Sequence, residues 1–410
     1  MTTIINNENK KLNFSNEREQ SQACLNSAEH EKNQGRKVLN VPNLRFPEFQ
    51  GEWEELGLSE LLDFKNGLNP KPDKFGKGIK FISVMDILNN AVITYDCIKA
   101  SVDVTEKELS DFSVEKGDIL FQRSSETLED VGRANVYMDD KTAVFGGFVI
   151  RGKKKGEYDP QYFNYLLRSP FARKRIIPMG AGAQHFNIGQ EGLSKVKLHF
   201  TNIEEQKKIG KMLSLLDERI ATQNKIIDKL QSLIKGIAQK IVHSNKPNVC
   251  LSECLECKTS TLQESDVCEH GVYPVHGANG IVGYLDNYNT EGEAVYIIKD
   301  GSGVGTVSYV TGKCSATGTL NTLQAKEGYS LQYLYYLLKV FNFEPYKTGM
   351  AIPHIYFKDY GKAKVFCPSY TEQLRYARLL SAIDNKLSIE QNILTELRLQ
   401  KQYLLRQMFI

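Results

Sequence analysis

Apolar residues recur at alternating intervals of four and three along two long stretches of the chain. Spacing of this kind, sustained over five heptads, predicts two amphipathic helices whose apolar stripes form a coiled-coil seam. A helix of about 40 residues is roughly 60 Å long and outreaches a domain of about 150 residues, so we expect the stripes to cover each other. The predicted seam positions are Ile209, Leu213, Leu216, Ile220, Gln223, Ile227, Leu230, Ile234, Ile237 and Ile241, then Tyr376, Leu380, Ile383, Leu387, Glu390, Leu394, Leu397, Lys401, Leu404 and Met408.

Both stripes carry a polar residue at the same seam position, Gln223 in the first and Glu390 in the second. A polar residue in an apolar seam favours one register at some cost in stability. Lys401 stands where the first stripe has Ile234 and is a second polar position without a counterpart. The alternative, that each helix packs only on its own domain, remains open from the sequence.

The two helices are part of an internal repeat. A shift of 167 positions places residues 180–243 on residues 347–410, so that Ile188 falls on Ile355 and Asp217 on Asp384. With a four-residue adjustment, "YFNYLL" at 162–167 also meets "YLYYLL" at 333–338. The chain is therefore interpreted as one unit written twice, a mixed segment followed by a long helix.

The mixed segments predict strands and short helices in each copy. Strands are expected in "GIKFISVMDIL", "GDILFQRS" and "AVFGGFVIRG", and later in "EAVYIIKDG", "GTVSYVTG" and "TLNTLQAK". Helices are expected in "PQYFNYLLRSPFARKRI" and "LQYLYYLLKVF". The fold class is thus α+β, with two mixed domains (41–203 and 246–370) and two long helices (204–245 and 371–410). Residues 1–40, rich in Asn, Gln, Glu and Lys, predict a disordered tail.

Composition sets wide bounds on function. A chain of 410 residues exceeds one ordinary core, and a net charge of +3 neither requires nor excludes nucleic acid. No apolar run reaches the roughly 20 residues that a membrane helix needs, and no signal pattern opens the sequence. We therefore expect a cytoplasmic protein without a membrane partner.

Motifs for catalysis or cofactor binding are missing from the sequence. There is no GxxxxGK[ST], HExxH or GxSxG motif, and "GSGVG" at Gly301–Gly305 is better explained as a turn. We therefore expect no catalytic residue and no cofactor in this chain. The cluster of Cys250, Cys254, Cys257, Cys268 and His270 lacks the paired CxxC form, so free thiols are favoured over a metal site.

Basic and amide-bearing residues in predicted loops are candidates for contact with nucleic acid. Basic clusters favour phosphate contact, whereas Arg, Asn, Gln, Lys and Ser on loops can read base edges. Arg151 lies beside the basic cluster of Lys153, Lys154 and Lys155. The candidate residues are Arg123, Ser124, Ser125, Arg133, Lys153, Lys154, Lys155, Arg173, Lys174, Arg175, Gln184, His185 and Asn187, then His276, Asn279, Lys299, Ser302, Lys347 and His354.

The order of these segments resembles the specificity subunits of Type I restriction-modification systems. The resemblance covers about residues 41–410 and rests on "VPNLRFPEFQGEWEE", "GDILFQRSSETLEDVG", "YPVHGANGIVGY" and "GAGAQHFNIGQEGLSKVKLHF" followed by "EEQKKIGKMLSLLDERI", together with the repeated helix. It implies two target recognition domains, each of which reads one half of a bipartite, asymmetric site in double-stranded DNA. It also implies that the two helices form an antiparallel coiled coil between these domains.

The same resemblance implies partners that carry the chemistry. Two modification subunits would bind S-adenosylmethionine and methylate adenine, and two restriction subunits would hydrolyse ATP with Mg²⁺. This chain would be non-catalytic. An alternative from the residues alone is a coiled-coil scaffold that binds protein. The divergence of the two mixed segments on a repeated scaffold favours two different ligands and therefore the DNA-reading interpretation.

Overall fold

The computed structural model describes residues 39–410, so nearly all of the predicted tail at 1–40 lies outside the described residues. The chain divides into two compact units. The first holds the described residues up to Leu215 together with Lys401–Ile410, and the second holds Leu216–Gln400. Both contain helices and sheets, which confirms the predicted α+β class. No helix within residues 39–410 is long and apolar enough to cross a membrane.

The first unit is built around two four-stranded sheets. Its strands are β1 (Glu54–Gly57), β2 (Leu62–Asn66), β3 (Phe75–Ile82), β4 (Ser101–Val102), β5 (Ser113–Val114), β6 (Ile119–Gln122), β7 (Ser124–Ser125), β8 (Ala134–Val136), β9 (Ala143–Phe145), β10 (Val149–Lys154), β11 (Phe186–Asn187) and β12 (Lys197–Phe200). One sheet has the order β2-β10-β6-β8 with antiparallel neighbours. The other has the order β4-β3-β9-β5, in which β3 and β9 are parallel.

Short helices cover these sheets. They span Leu58–Leu61, Val84–Asn89, Glu106–Phe112, Pro160–Arg168, Pro170–Ile176 and Gln190–Ser194. The predicted helical stretch at 160–176 is interrupted at Ser169, whose side chain caps the second helix by accepting from the amide of Ala172 at 3.2 Å. Pro170 follows at the first helical position, where its missing N–H costs nothing.

The strand predicted across "GIKFISVMDIL" is wrong in its second half. β3 ends at Ile82, and residues Val84–Asn89 form a helix instead. The amide of Ser83 donates to the Asp86 carboxylate at 2.8 Å, as the residue before a helix does when the third helical residue is acidic. This local capping interaction outweighs the apolar pattern that suggested a continued strand.

The C-terminal residues pack into the core of the first unit. Phe409 is 1% exposed and packs edge-on against Trp53, with 6.5 Å between the ring centroids. Its ring also lies 5.5 Å from that of Tyr162. The C-terminal residues therefore belong to the same apolar core as the opening segment near Trp53.

The second unit repeats the mixture of strands and short helices. Its strands are β13 (Val249–Cys250), β14 (Leu255–Thr259), β15 (Tyr273–Gly277), β16 (Gly280–Leu285), β17 (Ala294–Ile298), β18 (Val307–Val310), β19 (Ser315–Ala316), β20 (Leu320–Ala325) and β21 (Lys364–Val365). The main sheet has the order β14-β20-β17-β18, and a smaller one has the order β16-β15-β19. Its short helices span Leu251–Cys254, Leu331–Val340 and Phe357–Tyr360.

The two long helices span Ile203–His243 and Tyr370–Gln407. Every predicted seam position is buried or half-buried. In the second unit, the Gln223 side-chain amide donates to the Glu390 carbonyl at 3.0 Å and also to the Glu390 carboxylate. Hydrogen bonds from Lys386 and then Gln223 hold the pKa of Glu390 below its ordinary value, so this carboxyl is ionised at neutral pH.

Removal of the Phe409 ring is expected to destabilise the first unit. Truncation of a buried phenylalanine to alanine costs about 3–5 kcal/mol, because it removes apolar contact and leaves a cavity. Trp53 is the chain's single tryptophan and contacts Phe409, so its fluorescence during chemical denaturation reports on this unit. The control is Tyr403→Ala, at a position 57% exposed, which should change stability by less than about 0.5 kcal/mol. Equal effects of Phe409→Ala and Tyr403→Ala would contradict this packing.

Candidate nucleic-acid interface

The candidate residues Arg123, Ser124, Ser125 and Asn187 come together in the first unit. The amide of Ile188 donates to the Arg123 carbonyl at 2.9 Å, and β7 pairs antiparallel with β11. The Ser124 hydroxyl donates to the side-chain oxygen of Asn187. The pairing therefore joins two segments more than 60 residues apart into one exposed structure.

The segment before β11 forms a tight loop that carries Gln184 and His185. Ala181 and Asn187 exchange backbone hydrogen bonds of 2.9 and 2.8 Å, which closes the loop at its base. Gly182 has φ +143°, and a methyl group at this position would lie 2.0 Å from the His185 carbonyl oxygen. Glycine is required here because any side chain would collide with the backbone. Gln184 and His185 are held at the exposed end of the loop.

The second unit builds a corresponding loop from Lys299, Asp300 and His354. The amide of Ile355 donates to the Lys299 carbonyl at 2.9 Å, and Thr348 and His354 exchange backbone hydrogen bonds of 2.9 and 2.7 Å. His354 Nδ1 lies 2.7 Å from an Asp300 carboxylate oxygen, and Lys299 contacts the other oxygen. Burial raises the pKa of Asp300, but hydrogen bonds from Lys299 and His354 outweigh it and leave that pKa below its ordinary value.

These two loops match contact by contact. Arg123 and Lys299 each follow a central strand of the main sheet, and each carbonyl accepts from an isoleucine amide. Their amides donate at 2.9 Å to the carbonyls of Phe148 and Thr319 respectively. A basic residue therefore occupies the same place in both units, next to an exposed loop.

The cluster predicted at Lys153, Lys154 and Lys155 has partners within the fold. Lys153 lies 3.5 Å from Glu115, and Lys155 lies 3.4 Å from Asp63. The Lys154 ammonium donates to the Tyr158 carbonyl at 3.0 Å. Arg151, beside this cluster, is buried and donates to the Ser113 carbonyl, so its guanidinium is not on the surface as the sequence suggested. Phosphate contact by the three lysines stays a prediction.

The other basic candidates of the first unit are Arg133, Arg173, Lys174 and Arg175. Arg133 and Arg173 line a cavity of about 360 Å³, where Arg173 donates to the Glu129 and Val131 carbonyls at 2.8 and 2.7 Å. Burial, and then the charge of Arg133, lower the pKa of Arg173 to about 10, so it remains charged at neutral pH. Arg175 donates to the Lys197 carbonyl at 3.0 Å, while Lys174 is exposed.

The remaining candidates are His276 and Asn279, which lie in β15 and in the turn after it, and Ser302 and Lys347, which lie next to the second loop. His276 is half-buried in β15 against the Tyr296 ring, and burial lowers the pKa of this histidine. Asn279 is exposed in the turn between β15 and β16. Ser302 is exposed in the turn that follows Asp300. The Lys347 ammonium lies 2.6 Å from Glu344, close in sequence to the Thr348–His354 loop.

The cysteine cluster does not converge in the second unit. Within residues 39–410, no three His, Cys, Asp or Glu side chains lie together as a metal ion would need. Cys254 instead packs against Cys367, with 3.8 Å between the sulfur atoms, and both are buried free thiols. Cys268 is exposed and free.

An apolar surface beside Arg123 was not predicted from the sequence. An open cavity of about 400 Å³ is lined by Phe75, Met85 and Phe148 among others, and Phe148 is 68% exposed. It adjoins Arg123, whose amide donates to the Phe148 carbonyl. Phe148, next to the two glycines in "AVFGGFVIRG", was the available signal, but the strand pattern alone does not place it at this edge.

Comparison with known proteins places these features in a family. A family model described as "Type I restriction modification DNA specificity domain" matches residues 50–232 and again 244–399. A protein of Methanocaldococcus jannaschii, inferred to be the specificity subunit of the type I restriction enzyme MjaX, is 28% identical over 210 residues, which cover 50% of this chain and 49% of that relative. The EcoprrI specificity subunit of Escherichia coli is 28% identical over 116 residues, 28% of this chain and 29% of the relative.

The fold is also found among solved structures. The crystal structure of a Type I restriction-modification S subunit from M. genitalium superposes with a TM-score of 0.62 at 19% identity, and the match covers 90% of this chain and 99% of that one. In sequence, the chain spans about half the length of the relative inferred for MjaX. The likeness in structure concerns the fold.

The Asp300–His354 contact is expected to hold the loop at Thr348–His354. His354→Ala should speed hydrogen exchange at the Thr348 and Gly301 amides about 1.5- to 5-fold, because a partly exposed contact between an imidazole and a carboxylate contributes about 0.2–1 kcal/mol. Since the pKa of Asp300 is lowered, its contribution is present above pH 3.8 and is lost as pH falls through the lowered value. The control Lys362→Ala, at an exposed position, should leave the exchange rates of these amides unchanged. Equal exchange rates in both variants would contradict a role of the Asp300–His354 contact in holding the loop.

Proposed function

The chain belongs to the family of Type I restriction modification DNA specificity domains, and from this premise we propose that it reads DNA sequence for a Type I restriction-modification complex. Its target is a bipartite, asymmetric site in double-stranded DNA. Each compact unit reads one half of that site, and catalysis belongs to partner subunits.

One observation carries the proposal more than any other. The two units hold exposed loops through the same backbone contacts, at Arg123–Ile188 and at Lys299–Ile355, yet the side chains that the loops expose are different. The same backbone hydrogen bonds in both loops, with different exposed side chains, suit two units that bind different base sequences. The basic residue beside each loop, Arg123 or Lys299, would contact the phosphate backbone, for which Lys299 would exchange its carboxylate partner Asp300.

We further propose that the two long helices form an antiparallel coiled coil that fixes the distance between the readers. Support comes from each unit separately. In the first unit, Ile209 and Leu213 share a core with Met408 and Phe409, which joins the start of one helix to the end of the other. In the second unit, Gln223 bonds to Glu390 across the seam. A polar pair at this position would set the register.

The proposed partners follow from the family. Two modification subunits would bring S-adenosylmethionine and methylate adenine, and two restriction subunits would bring ATP hydrolysis with Mg²⁺. The side chains of this chain would bind and orient DNA, and they would perform no bond-breaking step. The expected compartment is the cytoplasm, where the complex would meet double-stranded DNA.

An exchange of segments tests the division of the site. When residues 55–200 are replaced by the counterpart from a related specificity subunit, we expect one half of the methylated motif to change. The other half and the spacing should stay the same, because residues 250–367 and the long helices are untouched. Methylome sequencing of the strain that carries the exchanged subunit gives the result directly.

The reciprocal exchange of residues 250–367 is the matched control, and it should change the opposite half alone. If either exchange changed both halves at once, independent reading would be contradicted. If the intact chain, assembled with its modification subunits, bound no DNA sequence selectively, the protein-binding scaffold would replace the present proposal.

The purified chain alone is expected to transfer no methyl group and to hydrolyse no ATP. Radiolabelled S-adenosylmethionine and an unmethylated duplex that carries the recognised motif measure the first activity, and phosphate release measures the second. Methyl transfer should appear when the modification subunit is added. Turnover by the chain alone, retained after a second purification step, would contradict the non-catalytic assignment.

A further inference from the structure

The exposed ends of the two matching loops have opposite chemistry. We name Gly182–His185 the first tip and Gly349–Ile352 the second tip. The 167-position shift places Ala183, Gln184 and His185 on Met350, Ala351 and Ile352. The first tip thus carries an amide and an imidazole, whereas the second carries two large apolar side chains, Met350 and Ile352.

The second tip exposes apolar surface that the fold does not use. Met350 is 106% exposed and Ile352 is 59% exposed relative to an extended reference. Burial of apolar area stabilises by about 25 cal/mol per Å², so leaving both side chains in water forgoes a favourable contact. Together they form a small apolar surface at the end of one loop that is available to a partner.

The backbone holds these side chains outward. Gly349 has φ +88°, and a methyl group there would lie 2.3 Å from the Ile352 carbonyl oxygen. The amide of Gly301 donates to the Pro353 carbonyl at 3.0 Å, and His354 is fixed by Asp300. The tip therefore cannot fold back onto the unit without breaking these contacts, and its projection is built into the fold.

The first tip offers hydrogen bonds instead. Gln184 and His185 are exposed, and within residues 39–410 neither side chain makes a hydrogen bond to the protein. An amide can donate and accept at the same base edge, as a glutamine does with adenine. The same backbone frame thus presents directional polar groups in one unit and apolar groups in the other.

DNA has one apolar group in its major groove, the C5-methyl of thymine. The Lys299 carbonyl accepts from the amide of Ile355, just beyond the second tip, and Lys299 stands where the first unit has Arg123. The two tips therefore occupy equivalent places in their units. Lys347 precedes the second tip, and phosphate can compete for its partly exposed pair with Glu344. The equivalent place of the two tips and the lysines beside the second tip favour DNA as the ligand. An apolar groove on a protein is the less favoured alternative.

We propose that Met350 and Ile352 of the second tip read thymine through contact with its C5-methyl group, whereas the first tip reads bases through hydrogen bonds from Gln184 and His185. The inference rests on the proposed function, because it names the chemistry by which each unit selects its half of the site. Binding to the second half-site then depends on the methyl group of thymine, whereas binding to the first half-site does not.

Deoxyuridine tests this directly, because it keeps the hydrogen-bonding groups of thymine and lacks the methyl. The probe is a duplex with the motif found by methylome sequencing, and the protein is the full chain assembled with its modification subunits. Deoxyuridine in the half read by the second unit should weaken binding about three- to fivefold per contacted thymine. The same change in the other half should leave affinity unaltered. The segment exchange identifies which half belongs to which unit.

The variant Met350→Gln with Ile352→Asn should abolish the difference between thymine and deoxyuridine, because neither new side chain carries a methyl group. It leaves Gly349 and Pro353 in place, so the loop backbone is kept. The control is Ile389→Gln, at an apolar position of the second unit that is 53% exposed on the long helix, and it should retain the full difference.

The outcomes separate the two proposals. Selective binding of the unsubstituted motif, without any response to deoxyuridine in the second half, would overturn the inference and leave the proposed function intact. A second half-site without thymine on either strand would also overturn it. Absence of selective binding to the unsubstituted motif would overturn the proposed function itself.

Discussion

Each mixed unit depends on an antiparallel strand pair that joins its first and last segments. In the first unit β1 pairs with β12, from Glu54 opposite Phe200 to Gly57 opposite Lys197. In the second, β13 pairs with β21, where Val249 stands opposite Val365. Because the pair closes a segment of more than 100 residues, it brings the entry to the unit beside the start of the following long helix. The sheets and exposed loops are positioned within this closure.

The exposed loops combine a fixed frame with freely variable ends. Their backbone hydrogen bonds, at Arg123–Ile188 and Lys299–Ile355, tie them to central strands whose residues are fully buried. Side chains at the tips make few contacts with the rest of the protein, so substitution there costs little stability. A reader of DNA sequence benefits from this separation, since its specificity can change while its fold is retained.

Charge in the first unit is balanced locally to an extent that composition does not reveal. The net charge of +3 includes lysines that face carboxylates far away in sequence, as Lys153 does with Glu115 and Lys155 with Asp63. Such exposed pairs contribute at most about 1 kcal/mol, so DNA phosphates can compete for them. Arg151 cannot take part, because it is buried and bonded to the Ser113 carbonyl.

The sequence by itself determined the long helices and much of the strand content, because both follow from the regular spacing of apolar residues that are close in the sequence. Every predicted seam position is covered, including the polar pair Gln223 and Glu390. Only the tertiary structure decided what the candidate residues do. The contact between Asp300 and His354 joins positions 54 residues apart, and the exposure of Met350 depends on backbone contacts around its loop. Neither has a period or a local spacing, since each follows from how distant strands meet.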